Sequence, residues 1–395
     1  MTSLLQKSTK SVICEPSLVV TSYVRHAVVR SSSIMRIMIV TDAWFPQTNG
    51  VVRTLAKTAE WLGRFGHEVR MLTPQDFRSI ACPTYPEIRL SLLPRKIVAR
   101  NITEFSPQAL HIATEGPLGL AARRYCIRHQ LRFTTSYHTQ FPQYLRARFP
   151  IPIRFSYWAL HRFHGAAVRC MVSTASVRTE LQSRGFRNLA AWRRGVDTDL
   201  FKPGPKDFLA LPRPIAAYVG RVAVEKNVEA FLRMPWDGSK VVIGDGPERA
   251  RLQAQYPGTL FTGFRFAEDL AAHLAAADVM VFPSLTDTFG LVNLEAMACG
   301  VPVAAYPVNG PIDVIEDGVT GALDHDLEKA ARRALTLDPR ACRDNAVRCG
   351  WDTSAREFEG NLVSCHSNQW PRREVWGIDA AQGAAAPVSS SFSRN

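Results

Sequence analysis

Short apolar, β-rich runs recur along this chain and alternate with longer stretches whose apolar residues follow helical spacing. The runs fall at 36–42, 68–73, 109–114, 133–138 and 168–174, then at 215–220, 240–244, 260–263, 279–283 and 302–306. This alternation predicts an α/β protein with parallel sheets, and there is no internal repeat beyond it. At 395 residues with 46% hydrophobic content, the chain can bury two cores of about 150 residues each. The Pro/Gly-rich stretch Gly195-Val-Asp-Thr-Asp-Leu-Phe201-Lys-Pro203-Gly-Pro205 is the expected join. It separates an N-terminal domain at 35–194 from a C-terminal domain at 206–350, with 195–205 as linker.

The segment from Ser284 to Pro302 is chemically the most informative. Val279 to Phe282 reads as a buried parallel strand and Leu291 to Ala298 as a helix, so Gly290 lies where helix N–H groups lack partners, a natural anion site. Glu295, one turn into that helix, can accept hydrogen bonds from a vicinal diol such as a ribose, and Asp287 can reach a second polyhydroxyl group. Two carboxylates flanking an anion hole suggest a sugar nucleotide. An isolated acid pair of this kind is more commonly a solvated loop acid and a solvated helix acid; the neighbouring motifs reverse that balance.

Upstream, Ala216-Ala-Tyr-Val-Gly220-Arg221-Val-Ala-Val-Glu-Lys226 ends a β-rich run in Gly-Arg and places a lysine five positions later, at the start of a predicted helix. Two cations can converge there on one phosphate pair beyond a strand end. A nucleoside diphosphate leaving group gathers charge as the glycosidic bond breaks, and without a metal fixed cations must stabilise it. In the N-terminal half, Met35 to Val52 reads as a strand, a Pro/Gly-rich turn and a helix running through Leu62, with Gly50 allowing close backbone approach. Phe133 to Phe141 is a β-rich run ending in His138, a type of residue that is most often structural.

Together these residues resemble the E-x7-E signature and the G-R-x4-K pattern of the retaining glycosyltransferases of the GT-B fold. That large family includes sucrose synthases, bacterial mannosyltransferases and sulfoquinovosyl-diacylglycerol synthases. The resemblance covers roughly residues 35 to 363, and Asp287 stands where the family has Glu, shortening its reach by one methylene. It implies two Rossmann-like doubly wound domains facing a central cleft. It further implies that Glu295 holds the ribose, Arg221 and Lys226 the diphosphate, and Gly50, Gly290 and Leu291 the phosphate or sugar. Asp287 and His138 would meet the sugar hydroxyls, and Gly244, Gly263 and Phe264 are candidates for base contacts. The expected reaction moves a hexose from a nucleotide sugar to an acceptor hydroxyl with retention, the departing phosphate taking the acceptor's proton. No cofactor and no metal are expected: Asp197 and Asp199, although a D-x-D pair, belong to the family's linker pattern and lack further acids to complete an oxygen shell. Trp351 to Phe358 matches the start of a helix crossing back to the first domain, giving a crossover helix at 351–364.

Charge is lopsided. Residues 1–200 hold 28 Lys+Arg against 11 Asp+Glu, a net of +17, whereas 201–395 hold 20 against 24, a net of −4, in accord with the overall +13. The basic half should seek an anionic partner. Within it, Arg146, Arg148, Arg154 and Trp158 belong to a stretch interleaving arginine with rings, which suits an anionic membrane surface carrying the acceptor. A helix from Ile153 burying its aromatics in the core is a comparable reading. Nucleic acid is not expected as a partner, because no nucleic-acid-binding module is present. No run reaches the ~18 apolar residues of a membrane span. The eight cysteines show no C-x2-C pair and are expected to be free thiols in a reducing cytoplasm. The expected location is therefore cytoplasmic and peripheral, at the inner face of the cell membrane. Residues 1–34 are expected to be disordered or an overextended start, and 365–395 a flexible tail.

The motif set looks closest to sulfoquinovosyl-diacylglycerol synthases and GDP-mannose-dependent lipid mannosyltransferases, implying a UDP- or GDP-linked donor and a lipid acceptor such as diacylglycerol. The alternatives are a glycosyltransferase of cell-surface polysaccharide synthesis with a soluble or polyprenyl-linked acceptor, a sugar-nucleotide 2-epimerase on the same fold, and a non-catalytic binding protein on this scaffold.

Overall fold

Two six-stranded sheets, each built entirely from parallel strands, carry the chain. The computed structural model describes residues 34–47, 49–82, 85–138 and 152–366. In the first lobe, β1 (Arg36–Val40) and β2 (Glu68–Leu72) are followed by an antiparallel hairpin of β3 (Ser79–Cys82) and β4 (Tyr85–Ser91). Then come β5 (Ala109–Ile112), β6 (Thr134–Tyr137), β7 (Arg169–Val172) and β8 (Leu189–Ala191), giving the order β2-β1-β5-β6-β7-β8. The second lobe holds β9 (Ile215–Val219), β10 (Ser239–Ile243), β11 (Leu260–Gly263), β12 (Val279–Phe282), β13 (Val303–Ala305) and β14 (Gly321–Leu323), in the order β11-β10-β9-β12-β13-β14.

The central strands are apolar on both faces because helices cover both. Along β1, Met38 and Val40 enter a cluster with the helices Arg95–Phe105 and Pro117–Arg128, while Ile37 and Ile39 face the opposite side with the helices Gly50–Arg64 and Trp351–Asn361. The second sheet repeats this: Ala217 and Val219 pack on one side, Ala216 and Tyr218 on the other. Burial on both faces explains why these runs read as continuous rather than alternating.

Each of the ten predicted runs forms a strand. The hairpin, β8 and β14 were not legible: Leu-Ala-Ala and Gly-Ala-Leu are three-residue segments of weak strand preference, formed because β7 and β13 supply a pairing edge. Lys226 is a second difference. It lies in the single 3-10 turn Val224–Lys226, and after Asn227 in a left-handed conformation the α-helix begins only at Val228.

The order of each sheet reverses direction once, and the loops at that point open a crevice beyond the carboxyl ends of the strands. In the first lobe the reversal lies between β1 and β5; in the second it lies between β9 and β12. The loops after β9 and β12 are the ones that carry Arg221, Lys226, Asp287 and Gly290.

The chain returns to the first lobe at its end. In Trp351–Asn361, fully buried Phe358 packs against Trp192 and His111 with ring centroids 4.7 and 4.8 Å away. Beyond it, buried Cys365 donates its N–H to the Gln108 carbonyl at 2.8 Å. Phe358→Ala is expected to lower unfolding free energy by about 3–5 kcal/mol, the usual cost of deleting a buried ring. Denaturant titration measures this, and a loss within ~0.5 kcal/mol would show that the returning helix is not part of the first core.

Candidate active site

The turn from β12 into the helix Leu291–Ala298 is built around Gly290. Its φ of 80° lies in the left-handed region, and a Cβ there would sit 2.7 Å from Asn293 Nδ2 and 2.9 Å from the Phe282 ring. Only glycine fits. The helix start has no side-chain cap, so no side chain offsets the partial positive charge of its first N–H groups. Gly50, the first residue of the first lobe's Gly50–Arg64 helix, approaches from across the cleft: a Cβ on it would lie 3.4 Å from Leu291 Cδ1.

Around this turn polar groups are buried without partners. Asp287 Oδ1 accepts from Lys226 Nζ at 2.5 Å, which ties the loop after β9 to the loop after β12, while Asp287 Oδ2 has no partner. Asn227 reinforces the tie through its side-chain amide to the Pro283 carbonyl at 3.1 Å. Glu295 is only 3% exposed; its Oε1 pairs with Arg53 of the first lobe and its Oε2 has no partner. Ser284 Oγ, Thr286 Oγ1 and the whole Asn293 side-chain amide are likewise unsatisfied. Buried polar atoms left unpaired cost roughly 1–3 kcal/mol each, and a cluster of them beside an uncapped helix start is an arrangement suited to a polar ligand.

The floor beside Arg221 is backbone. Gly220 and Gly244 have φ near 150°, and a Cβ on Gly244 would lie 1.8 Å from the Gly220 carbonyl oxygen. Gly263 (φ 76°) pairs with Gly244 and has the Arg249 guanidinium next to it, while Phe264 is exposed and stacks with Phe266. The three base-contact candidates thus sit together at the carboxyl ends of β10 and β11.

His138, just after β6 in the first lobe, is half-buried and has first-lobe neighbours at both ring nitrogens. Nδ1 lies 3.2 Å from Arg194 Nη2 and Nε2 lies 2.7 Å from Ser136 Oγ, while the Trp192 ring stands edge-on at 5.6 Å. A guanidinium has no acceptor, so Nδ1 must accept and Nε2 must carry the proton. Ser136 Oγ continues to His111 Nε2 at 3.1 Å, whose Nδ1 meets Thr134 Oγ1 at 2.9 Å. The group His138 turns to the second lobe is its backbone carbonyl, which accepts from Thr288 Oγ1 at 2.7 Å, one residue from Asp287.

Arg53, Thr288 and Arg194 were not singled out from sequence. The signal for Arg53 was present: it falls one turn beyond Gly50 on the same helix face. Asp42, within the first motif, serves structure. Its carboxylate accepts from the N–H groups of Leu118 (2.8 Å) and Gly119 (3.2 Å), and burial raises its pKa against these bonds. In the linker, Asp197 accepts from the Leu200 N–H at 3.2 Å and pairs with Lys57 at 3.4 Å.

Of the basic and aromatic stretch, Arg146 and Arg148 lie outside the described residues. Arg154 and Trp158 are exposed on the helix Ile153–His164, as is Phe155, whereas Tyr157, Leu160 and Phe163 are buried. The reading in which all these aromatics enter the core holds only for the second group. Among the described residues, no helix is long and apolar enough to cross a membrane.

The histidine shell gives a pH-dependent expectation. Burial first, and the charge of Arg194 second, hold His111 down at about 3 and His138 well below its ordinary value. Both rings are neutral when folded and take up protons when unfolded below about pH 6.5. The unfolded state then binds more protons, so stability should fall from pH 6.5 to 5 by up to about 1.4 kcal/mol per unit for each ring. Urea midpoints at the two pH values test this; a midpoint that is unchanged or higher at pH 5 contradicts two neutral buried rings.

Comparison with known proteins agrees with the two-lobed α/β fold. The family model "Glycosyltransferase Family 4" matches residues 48–200, and "Glycosyl transferases group 1" matches residues 213–337. A GDP-mannose-dependent alpha-mannosyltransferase of Mycobacterium tuberculosis is 30% identical, over 83% of this chain and 96% of its own. An alpha-monoglucosyldiacylglycerol synthase of Streptococcus pneumoniae is 27% identical, over 82% and 83%. The crystal structure of Anabaena HepE in complex with UDP and glucose superposes with a TM-score of 0.62 at 17% identity, over 82% of this chain and 98% of that one. The chain therefore belongs to the family 4, group 1 glycosyltransferases, enzymes of the GT-B fold that use a nucleotide sugar.

Proposed function

We infer that this enzyme transfers a hexosyl group from a UDP- or GDP-linked donor to the hydroxyl of a membrane glycerolipid such as diacylglycerol, with retention and without a divalent metal. The observation that carries the donor reading is the turn at Gly290, where Asp287 and Glu295 each keep one buried oxygen unpartnered beside an uncapped helix start. Glu295 Oε2 suits a ribose hydroxyl, the helix N–H groups and Lys226 suit the diphosphate, and Arg221 lies on the same loop as Lys226. Asp287 and the His138 carbonyl flank the place left for the sugar.

In the reaction so read, the bond from the anomeric carbon to the phosphate oxygen breaks while the acceptor oxygen bonds that carbon on the same face. The acceptor's proton passes to the departing phosphate, and fixed cations and helix N–H groups take up the developing charge. His138, held neutral with both ring nitrogens engaged, positions its carbonyl rather than exchanging a proton. The lipid reading is supported by the basic first lobe, by exposed Arg154 and Trp158, and by a relative named alpha-monoglucosyldiacylglycerol synthase. It places the protein at the cytoplasmic face of the membrane, with anionic headgroups as partner.

Purified protein incubated with a panel of UDP- and GDP-sugars and a total lipid extract is expected to yield a new glycolipid by mass, undiminished by EDTA. Its anomeric configuration should match the donor's. A product formed only on water-soluble glycans would replace the lipid acceptor. Lys226→Ala and Glu295→Ala are each expected to abolish transfer while leaving the thermal midpoint within a few degrees of wild type. Near-normal turnover by either variant contradicts the assigned donor site.

A further inference from the structure

Leu93 is 91% exposed, and its φ of 48° lies in the left-handed region, which the Cβ of a leucine makes unfavourable. Strain retained at an exposed apolar side chain calls for a functional reason. Leu93 sits between the hairpin and the helix Arg95–Phe105, held by the Leu92 N–H bonded to the Arg78 carbonyl at 2.8 Å and by Pro94 at the helix start. Leu92 is exposed as well, and Arg95, Lys96 and Arg100 immediately after it are all exposed.

The topology fixes where this point lies. The helix Arg95–Phe105 leads into parallel strand β5, so its N-terminus is at the carboxyl edge of the first sheet, the edge that borders the cleft. The helices Pro117–Arg128 and Ile153–His164 also run back into parallel strands, β6 and β7, and lie on the same layer. Arg95–Phe105 packs on Pro117–Arg128, whose Arg123 in turn bonds the Phe163 carbonyl at 3.0 Å. The starts of all three carry an exposed apolar side chain, Leu93 just before the first helix, Leu120 in the first turn of the second and Phe155 in that of the third, with Trp158 one turn further on. Cations accompany them, with Arg95 and Lys96 at the start of the first helix and Arg154 at the start of the third. Apolar tips set among cations complement an anionic lipid surface better than they complement a protein of either charge.

We propose that Leu92 and Leu93 form a wedge that enters the interfacial layer of an anionic membrane, with Arg95 and Lys96 on its headgroups, so that the cleft-side rim of the first lobe meets the lipid acceptor. The proposal rests on the lipid-acceptor reading above. It adds a second anchor, formed by the hairpin exit, to the one on Ile153–His164, and two anchors give stable yet reversible attachment where one gives marginal binding.

The test uses the full chain with Leu92→Gln and Leu93→Asn combined; asparagine tolerates the left-handed backbone, so the change removes apolar surface without adding strain. Co-sedimentation is measured with phosphatidylcholine vesicles and with phosphatidylcholine–phosphatidylglycerol vesicles. Transfer is measured to the same acceptor lipid in vesicles and dispersed in detergent. Wild type is expected to bind the anionic vesicles, the double variant at least about tenfold more weakly. Transfer to vesicle-borne acceptor should fall with binding, and transfer to detergent-dispersed acceptor should be unchanged. A double variant that keeps wild-type vesicle affinity overturns the wedge while leaving the lipid acceptor standing. A wild-type protein that ignores both vesicles yet glycosylates a water-soluble acceptor overturns the lipid reading, and the wedge with it.

Discussion

The site depends on two parallel sheets presenting their carboxyl edges to each other, because only those edges carry the loops that hold polar side chains away from the cores. The second lobe's crevice opens between β9 and β12, and the Lys226–Asp287 pair fastens its two loops into one surface. Among the described residues, several contacts then bring the first lobe against it, including the Arg53–Glu295 ion pair, the Thr288 hydroxyl on the His138 carbonyl, Ser176 N–H on Asp313 at 2.9 Å and the Asn309 amide on Glu180 at 3.1 Å. Each places a first-lobe group within hydrogen-bonding distance of the second lobe, so both lobes line one cleft.

Charge is divided between the lobes in a way that suits their tasks. The first lobe carries most of the net positive charge on its surface, yet the groups it brings to the site are muted: His138 and His111 are held neutral, and Asp42 spends its carboxylate on a helix N-terminus. Burial lowers even Arg194, to about 9, which leaves it a cation at neutral pH and lets it fix the His138 ring. In the second lobe, by contrast, charges meet in pairs at the crevice, and unpaired carboxylate oxygens are buried next to helix N–H groups. In the proposed reaction, such preorganised dipoles and charges would meet a departing diphosphate without reorganising.

Much of this was legible in the residues. The ten strand runs, the helix Leu291–Ala298 and the glycine at its start follow from burial on both sheet faces and from the left-handed turn that only Gly290 accommodates. The Asp287 and Glu295 spacing likewise marked a turn in which each carboxylate keeps one buried oxygen without a partner. What could not be read were relations between distant segments. Arg53 and Glu295 are separated by 242 positions, and no local pattern couples them. The neighbours of His138 were hidden in the same way: Arg194, fifty-six positions later, meets its ring at Nδ1, and Thr288 of the second lobe meets its carbonyl. The short strands β8 and β14 were hidden for the same reason, since their pairing edges lie in other parts of the chain. The exposed Leu93 became informative only once its backbone conformation was known.

The most direct test of the donor site is calorimetric titration with UDP and with GDP in the presence of EDTA, comparing wild type with Glu295→Gln. If the turn at Gly290 and the cations after β9 grip the leaving nucleotide, one of the two nucleotides binds wild type without a divalent ion and binds the variant at least about tenfold more weakly, as expected when a buried charged hydrogen bond is lost. Failure of both nucleotides to bind, or equal affinity in the variant, would contradict the account.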